Sequence, residues 1–527
     1  MSRIHYAPTR TGAPLALLVP AVAAAGIALI PLVYIVVRAS EAGLDGVRRE
    51  IVSTRTLHLL SRSLTLAVSV TLASAVIGTS CAFLVTRTDV RGRAVLAVAF
   101  AAPLAIPTYV AAYTWLAATG VSGFRGSFLV LTTCCYPYVY LPVRAAISGL
   151  DARQQEVARS LGVGALSTLW RVTLPQLRSA IGSGSLLVAL YVLSDFGAVS
   201  LMRHDVFTTS IFLSYQGSFD RTPAAILGCL LVSVTGLLVW TEARVRREGV
   251  DRSAKGAASR APKIKLGRWS LPGWVFAGSV VGLSLGVPMV TLASWLADSP
   301  ANPVSFDSLR STVWSTIGVS MLGAVFTISL AIPVAVLVSR YRSRLARGIE
   351  AASYIGHALP GVVIALSLVF FGVRFATPIY QRLPLLIGGY GVLFLPLAVA
   401  SVRSSLANAP IALDDVGRSL GVNPTAIVRR VLLPIAAPGV GAGAALAFLT
   451  CIKELPATLL LRPNGLETLA TRLWTETSVA DYGRAAPYAI AIVAVASVPT
   501  LLLTSLSFES MGSTRRPRRP RRRSSVW

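Results

Sequence analysis

The chain has 527 residues, of which 54% are hydrophobic and only 13% are charged. Soluble domains carry about a quarter charged residues, so this composition excludes an ordinary soluble protein and indicates a lipid bilayer as the solvent. The formal net charge of +27 does not indicate nucleic-acid binding, because the basic residues form short clusters between long apolar runs.

Apolar runs long enough to cross a bilayer predict twelve membrane-spanning helices. We place six in the first half of the chain, at 14–37, 63–86, 94–117, 126–148, 181–202 and 222–241. Six more follow at 271–296, 312–339, 350–373, 384–402, 437–452 and 486–507. The run at 437–452 is expected to continue through Lys453 and Glu454 toward Leu461. The first run has flanking arginines like a signal peptide, but its length favours a retained anchor.

Arginine distribution predicts the orientation of these spans. Placing the N-terminus in the cytoplasm puts 34 of the 49 Lys and Arg on the cytoplasmic side, which favours cytoplasmic N- and C-termini. The expected domains are a six-helix half at 1–241, a basic cytoplasmic linker at 242–268, a second six-helix half at 269–510 and a basic tail at 511–527. The tail could bind anionic lipid or simply lie in solvent.

The two halves repeat the same segments. EVARSLG at 156–162 matches DVGRSLG at 415–421, and a proline follows each final glycine by 13 residues, at Pro175 and Pro434. Other matched pairs are AFLVTR at 82–87 with AVLVSR at 335–340, Pro107 with Pro360, and Asp195 with Glu454. Six spans insert each half in the same orientation, so we expect a pseudo-twofold axis along the membrane normal and a transport pathway between the halves.

The repeated segment lies in the predicted cytoplasmic loop between the fourth and fifth spans of each half. We expect a short amphipathic helix (Asp151–Leu161 and Ala412–Leu420), a break at a left-handed glycine, and a second helix that stops at Leu-Pro. In the second copy, Asn423-Pro424 can start that helix. Such a rigid element can transmit motion from an external motor. The candidate coupling residues are Glu156, Arg159, Gly162 and Pro175, with their mates Asp415, Arg418, Gly421 and Pro434.

These loops resemble the EAA motif of binding-protein-dependent ABC importer permeases, E-A-A-x3-G-x9-I-x-L-P. Glu156-Val-Ala158 and Asp415-Val-Gly417 stand in place of Glu-Ala-Ala. The resemblance implies an all-α, type I importer permease fold in which both loops dock on two copies of an ATPase subunit. No P-loop sequence occurs, so the chain is not expected to be an enzyme, and ATP is expected on the partner subunits, with no cofactor bound here.

The fused halves and two further segments bear on the substrate. KELPATLLLRP at 453–463 and SDFG at 194–197 are similar to the ferric iron(III) permease family. This resemblance implies an extracytoplasmic binding protein that delivers iron, while thiamine or another small solute remains open. A secondary transporter driven by an ion gradient is the alternative of another class, and the paired loops argue against it.

Ionisable residues and helix breakers within the spans are candidates for the pathway. Asp195 and Glu454 could line a cation route or lie at the outer membrane boundary, and Lys453 could neutralise Glu454. Pro107 and Pro360 interrupt the third and ninth spans, where they either border the pathway or serve packing. The cysteines and histidines show no metal-ligand spacing, so no metal site is predicted.

Overall fold

A computed structural model describes residues 13–150, 157, 158, 160–217, 221–247, 264–297, 304–341, 343–357, 359–407, 409, 410 and 412–512. Helices in the first half are α1 (Leu15–Ser40), α2 (Gly43–Ile51), α3 (Thr54–Arg87), α4 (Arg93–Ala99), α5 (Thr108–Thr119), α6 (Gly123–Ser148), α7 (Leu169–Ser194), α8 (Gly197–Leu201), α9 (Phe207–Gly217) and α10 (Thr222–Arg247). Helices in the second half are α11 (Gly267–Ala297), α12 (Phe306–Arg340), α13 (Arg344–Tyr354), α14 (Gly361–Phe375), α15 (Leu383–Leu406), α16 (Ala412–Ser419), α17 (Pro424–Lys453), α18 (Pro456–Leu461), α19 (Leu469–Ser478) and α20 (Tyr482–Gly512).

Every predicted span coincides with one of these helices or with a broken helix pair. Among the described residues, nine helices are long and apolar enough to cross a membrane, and the pair α4–α5 makes ten. The predicted spans 350–373 and 486–507 fall on α13–α14 and on α20. The third span is not straight, since α4 with its following turn meets α5 at 95°.

Two predicted span ends are wrong. The fifth span ends at Ser194 instead of 202, and the eleventh ends at Lys453 instead of continuing toward Leu461. In both places a short extended break is followed by a new short helix, α8 or α18. Apolar residues resume directly after the charged residues of each break, so hydropathy averaged over a window did not reveal the breaks.

The prediction that the second loop helix stops at Leu-Pro is also wrong. Helical structure runs through Pro175 and Pro434 into the membrane helices α7 and α17. Just before each proline the helix widens into a π-helical turn, at Leu169–Thr173 and Val428–Leu432. Proline lacks an N–H and its ring crowds the carbonyl four residues earlier, and a wide turn makes room for the ring without ending the helix.

The first long helix of each half packs against the opposite half. α1 lies against α12, α13 and α14, while α11 lies against α5. Three fully buried alanines of α1, Ala21, Ala24 and Ala28, let it approach α12 closely. Because α1 and α11 each pack on the opposite half, they hold the two halves together at two places.

The repeat extends to individual hydrogen bonds. The Ser63 hydroxyl on α3 accepts a bond from the backbone N–H of Phe207, the first residue of α9, at 3.1 Å. Thr316 on α12 accepts from the N–H of Leu469, the first residue of α19, at 2.8 Å. Ser63 and Thr316 are separated by the same number of residues as the matched pair Arg87 and Arg340, which end α3 and α12.

The predicted linker at 242–268 begins as helix, because α10 extends to Arg247. Its other end is bound to the end of α3. Ile264 donates its N–H to the Arg87 carbonyl at 2.8 Å, and the Leu266 N–H donates to the Asp89 carboxylate at 2.9 Å. The linker therefore returns to the same face of the membrane as the C-terminal end of α3.

Candidate functional site

Asp195 lies at the break after α7, and its carboxylate is buried with 7% of the residue exposed. Its Oδ1 accepts hydrogen bonds from the backbone N–H groups of Ala198 and Val199 at 3.0 and 3.3 Å. Its Oδ2 accepts from the Thr108 hydroxyl at 2.7 Å. The carboxylate therefore caps α8 and also binds the first residue of α5, which leaves it well satisfied inside the membrane protein.

Glu454 occupies the equivalent break after α17. Its Oε1 accepts from the N–H of Ala457 at 2.9 Å and so caps α18. A side chain at Gly361 would begin 3.1 Å from the same oxygen, so Glu454 lies directly against the first residue of α14. Gly361 is the repeat mate of Thr108. Unlike Asp195, Glu454 is only half-buried, and no hydrogen bond from a described residue reaches its Oε2.

Pro107 and Pro360 place both helix starts. Each proline is extended (φ −60° and −59°) and immediately precedes α5 or α14. The positive ends of these two helices thus point toward the two carboxylates, a favourable arrangement for negative charge. The predicted pair of acids and the predicted pair of prolines form one arrangement, repeated in each half.

Lys453 does not pair with its neighbour Glu454 within the described part of the chain. Its ammonium donates to the carbonyl of Leu104 in the opposite half, at 2.8 Å. Leu104 lies in the 3-10 turn Ala102–Ala105, where the third span breaks and backbone carbonyls lose their helical partners. Lys453 therefore ties the second half to the break in the first half, a contact that the sequence did not predict.

Hydroxyl groups surround the same region. Tyr191 lies 3.4 Å from the Thr108 hydroxyl, and Tyr390 lies 2.7 Å from the hydroxyl of Thr458 on α18. The buried hydroxyl of Tyr109 has no hydrogen-bond partner in the described structure. The interface between the halves thus contains carboxylates, hydroxyls and one ammonium deep within an otherwise apolar protein, as expected where a polar solute crosses.

The predicted glycine breaks in the coupling loops are confirmed. Gly162 and Gly421 both have left-handed backbone conformations, with φ of +80° and +73°. In the second copy α16 ends just before Gly421, and Asn423 caps the next helix by accepting from the N–H of Thr425 at 3.2 Å. Most of the first copy's helix, including Glu156 and Arg159, lies outside the described residues.

Each loop exposes apolar side chains at the same repeat positions. Val157 and Leu161 are 57% and 76% exposed in the first loop, and Val416 and Leu420 are 56% and 74% exposed in the second. Exposed apolar residues that recur at equivalent positions indicate contact surfaces for a partner.

A buried ion pair anchors the second loop. The guanidinium of Arg340, at the end of α12, lies 3.5 Å from the Asp414 carboxylate on α16, and both side chains are buried. Arg340 also donates to the Ala409 carbonyl at 3.1 Å, and Arg418 donates to the Tyr341 hydroxyl at 3.1 Å. Sequence reasoning missed Arg340, although the arginine that ends both AFLVTR and AVLVSR was the available signal.

The model of the family described as "Binding-protein-dependent transport system inner membrane component" matches the chain twice, at residues 74–247 and 328–508. The chain belongs to this family. The two matches confirm two fused permease halves, and with the helical architecture they confirm the type I importer permease fold. The protein is a multi-pass membrane permease component. The half boundaries at 241 and 269 stay predictions.

Three curated relatives support the same family. The Fe(3+)-transport system permease protein FbpB 2 of Haemophilus influenzae is 38% identical over 91% of this chain and 96% of its own length. The probable ABC transporter permease protein y4fN of Sinorhizobium fredii is 25% identical over 84% of this chain and 85% of its own. The sulfate transport system permease protein CysW of Escherichia coli K12 is 26% identical over 44% of this chain and 87% of its own. One half of this chain therefore corresponds to nearly a whole permease of the last kind.

Replacing Asp414 with alanine should destabilise the protein by about 3–5 kcal/mol, because Arg340 would keep a buried charge without its carboxylate partner. Thermal unfolding of the detergent-solubilised protein, followed by size-exclusion chromatography, measures this. Val416→Ala, at an exposed position of the same helix, is the control and should unfold close to the wild type. Equal behaviour of the two variants would show that the Arg340 contact does not hold the loop.

Proposed function

We propose that this permease is the membrane-spanning subunit of an ATP-driven importer for ferric iron, which an extracytoplasmic binding protein delivers. The 38% identity to an Fe(3+)-transport permease across nearly the whole of both chains carries the choice of substrate. The N- and C-termini and the repeated loops lie in the cytoplasm, as the distribution of arginine favours.

Two copies of a separate ATPase subunit dock on the two loops. Each loop has a left-handed glycine, with exposed valine and leucine at equivalent positions before it, and the second loop presents them on α16. In the second copy the buried Arg340–Asp414 pair fixes this helix to the end of a membrane helix. Motion of the ATPase would then reach the membrane through rigid contacts, since the second helix of this loop is the cytoplasmic part of α17 itself. Arg159, Arg418, Glu156 and Asp415 contribute to this docking surface.

The pathway runs between the halves, past the helix breaks that precede α5 and α14. Asp195 and Glu454 differ in their roles there. Both carboxylate oxygens of Asp195 accept hydrogen bonds, one from α8 and one from α5. Glu454 keeps one carboxylate oxygen without a described partner. Carboxylate and hydroxyl oxygens suit hard cations. Among the described residues no cluster of three or more His, Cys, Asp or Glu exists, and a pathway that binds its ion weakly allows the ion to leave.

Affinity purification of the chain from gently solubilised membranes should recover an ATPase subunit at about two copies per chain, and chemical crosslinking should add a binding protein. Mass spectrometry identifies both, and a ligand assay on the recovered binding protein reads the solute. An iron(III) ligand supports the proposal, and thiamine or another solute would correct the substrate. Purification of the chain alone, with uptake driven by an ion gradient in proteoliposomes, would overturn the importer assignment.

Substituting valine at both Gly162 and Gly421 should abolish stimulated ATP hydrolysis, lowering it about tenfold or more, while the chain still inserts. The left-handed φ at both positions makes any side chain strained, so the docking helices would shift. Gly164→Ala is the control in the first loop, because Gly164 lies outside the left-handed region and has open space around it. ATPase activity in proteoliposomes with binding protein is the measurement, and unchanged stimulation in the double variant would refute the role of these loops.

Glu454→Gln should lower iron uptake about tenfold at unchanged protein level, a loss of about 1.4 kcal/mol of interaction with the passing cation. Asp195→Asn should instead lower thermal stability by about 1 kcal/mol, because the carboxylate oxygen that accepts from the Thr108 hydroxyl becomes an amide nitrogen. Uptake of radioactive iron into proteoliposomes and thermal unfolding distinguish the two effects. Normal uptake by Glu454→Gln would remove Glu454 from the pathway.

A further inference from the structure

A polar cleft lies at the end of α3 that is opposite the coupling loops. It is formed by Arg55, His58, Leu59 and Arg62 of α3 and by Asp205, Ser210 and Leu213 from the segment around the start of α9. The cleft is open to solvent, and its volume with the solvent at its mouth is about 750 Å³. Since α3 ends at Arg87 beside the bound linker, its first turns lie on the other side of the membrane. With the loops in the cytoplasm, as proposed above, the cleft faces the outside.

The charge of this cleft is positive. Arg55 and His58 are exposed, and neither forms a hydrogen bond or ion pair with any described residue. Arg62 lies 3.5 Å from Asp205, with both side chains more than half exposed, so this pair is weak. Burial and the nearby Arg62 lower the pKa of the adjacent His204, so His204 is neutral near pH 7 and the arginines set the charge.

The equivalent place in the second half carries no such charge. The equivalent hydrogen bonds of Ser63 and Thr316 show which residues of α3 and α12 correspond in the repeat. In that register the mates of Arg55, His58 and Arg62 are Ser308, Ser311 and Ser315. The mate of Asp205, counted from Phe207 and Leu469, is Glu467, which is ion-paired with Arg472. Arg310, on the same turn of α12, adds one positive charge that the carboxylate of Asp307, 3.4 Å away, balances, whereas Asp205 balances only one of the two arginines of the α3 cleft.

From this difference we infer that the α3 cleft docks an acidic patch on one lobe of the extracytoplasmic binding protein. The inference rests on the proposed function, and it adds which half receives the acidic lobe. A binding protein with two similar lobes could sit on a pseudo-twofold permease in either of two orientations. A cationic cleft on one half and serines on the other favour one orientation, because opposite charges steer docking and mismatched charges penalise the reverse.

An anionic lipid headgroup is the other occupant that a basic cleft could take. The Asp205 carboxylate inside the cleft disfavours a phosphate there, whereas it leaves room for a protein surface that offers both acidic groups and a hydrogen-bond donor. Free Arg55 at the cleft rim also suits association with a protein, since rim charges act mainly on the rate of encounter.

The test uses the complete complex in nanodiscs of phosphatidylcholine and, as probe, the binding protein recovered by crosslinking from wild-type membranes. The double variant Arg55→Glu/Arg62→Glu should weaken the Kd for this protein at least tenfold at low salt and remove most of its salt dependence. The matched double variant Ser308→Glu/Ser315→Glu, at the equivalent positions of the second half, should change the Kd less than twofold. Arg55 and Arg62 are exposed, whereas Ser308 and Ser315 are half-buried, so size-exclusion chromatography must first confirm that both variant complexes remain intact.

Three results would overturn the inference. The first is an unchanged Kd in the arginine variant, and the second is an equal loss in the serine variant, which would remove the difference between the halves. The third is an unchanged Kd together with loss of phosphatidylglycerol retained through purification, measured by native mass spectrometry, which would assign the cleft to lipid. If wild-type membranes yield no binding protein at all, the proposed function fails instead, so the two failures are distinguishable.

Discussion

The structure depends on how backbone groups are satisfied where membrane helices break. A helix that stops inside a bilayer exposes N–H and C=O groups that lipid cannot hydrogen-bond. Here each half stops two helices at the level of the interface, and protein side chains supply the missing partners. Asp195 and Glu454 accept from the N–H groups of the short helices, and Lys453 donates to a carbonyl left at the opposite break. The polar centre of the protein is thus required by its own broken helices before any solute is considered.

This constraint ties transport to architecture. Because the caps join α8 to α5 in the first half, and place Glu454 against α14 in the second, a helix start cannot move without its acid. The helices α1 and α11, each of which packs against the opposite half, hold the two halves together. Movement delivered through α17 would therefore reach the breaks as a unit, and the contact of Lys453 with Leu104 joins the two halves at these breaks. Rigid halves with a few polar contacts between them can change arrangement without melting their cores.

Much of this fold was predictable, for physical reasons. Apolar length locates helices because a bilayer admits few alternatives, and the doubled glycine-to-proline spacing located both loops. The left-handed Gly162 and Gly421 follow from the same rule that places glycine after helix ends. Composition failed where apolar residues resume directly after a helix has ended, beyond Ser194 and Lys453. The Leu-Pro prediction failed because a π-helical turn can absorb a proline, and nothing in the local sequence marks that turn.

The contacts that sequence reasoning missed join residues far apart in the chain. Arg340 and Asp414 are brought together by the path of the membrane helices, and Lys453 reaches a residue of the other half. Each of these residues has an equivalent position in the other half. The repeat alone does not predict the contacts, because the residues at equivalent positions are not the same. In the repeat, Ser194 is equivalent to Lys453, Gly361 to Thr108, and Ser315 to Arg62. Two separate identical chains could not differ in this way. Fusion in one polypeptide keeps a pseudo-twofold framework of helices and caps while each half acquires its own charges, so the two halves can present different surfaces.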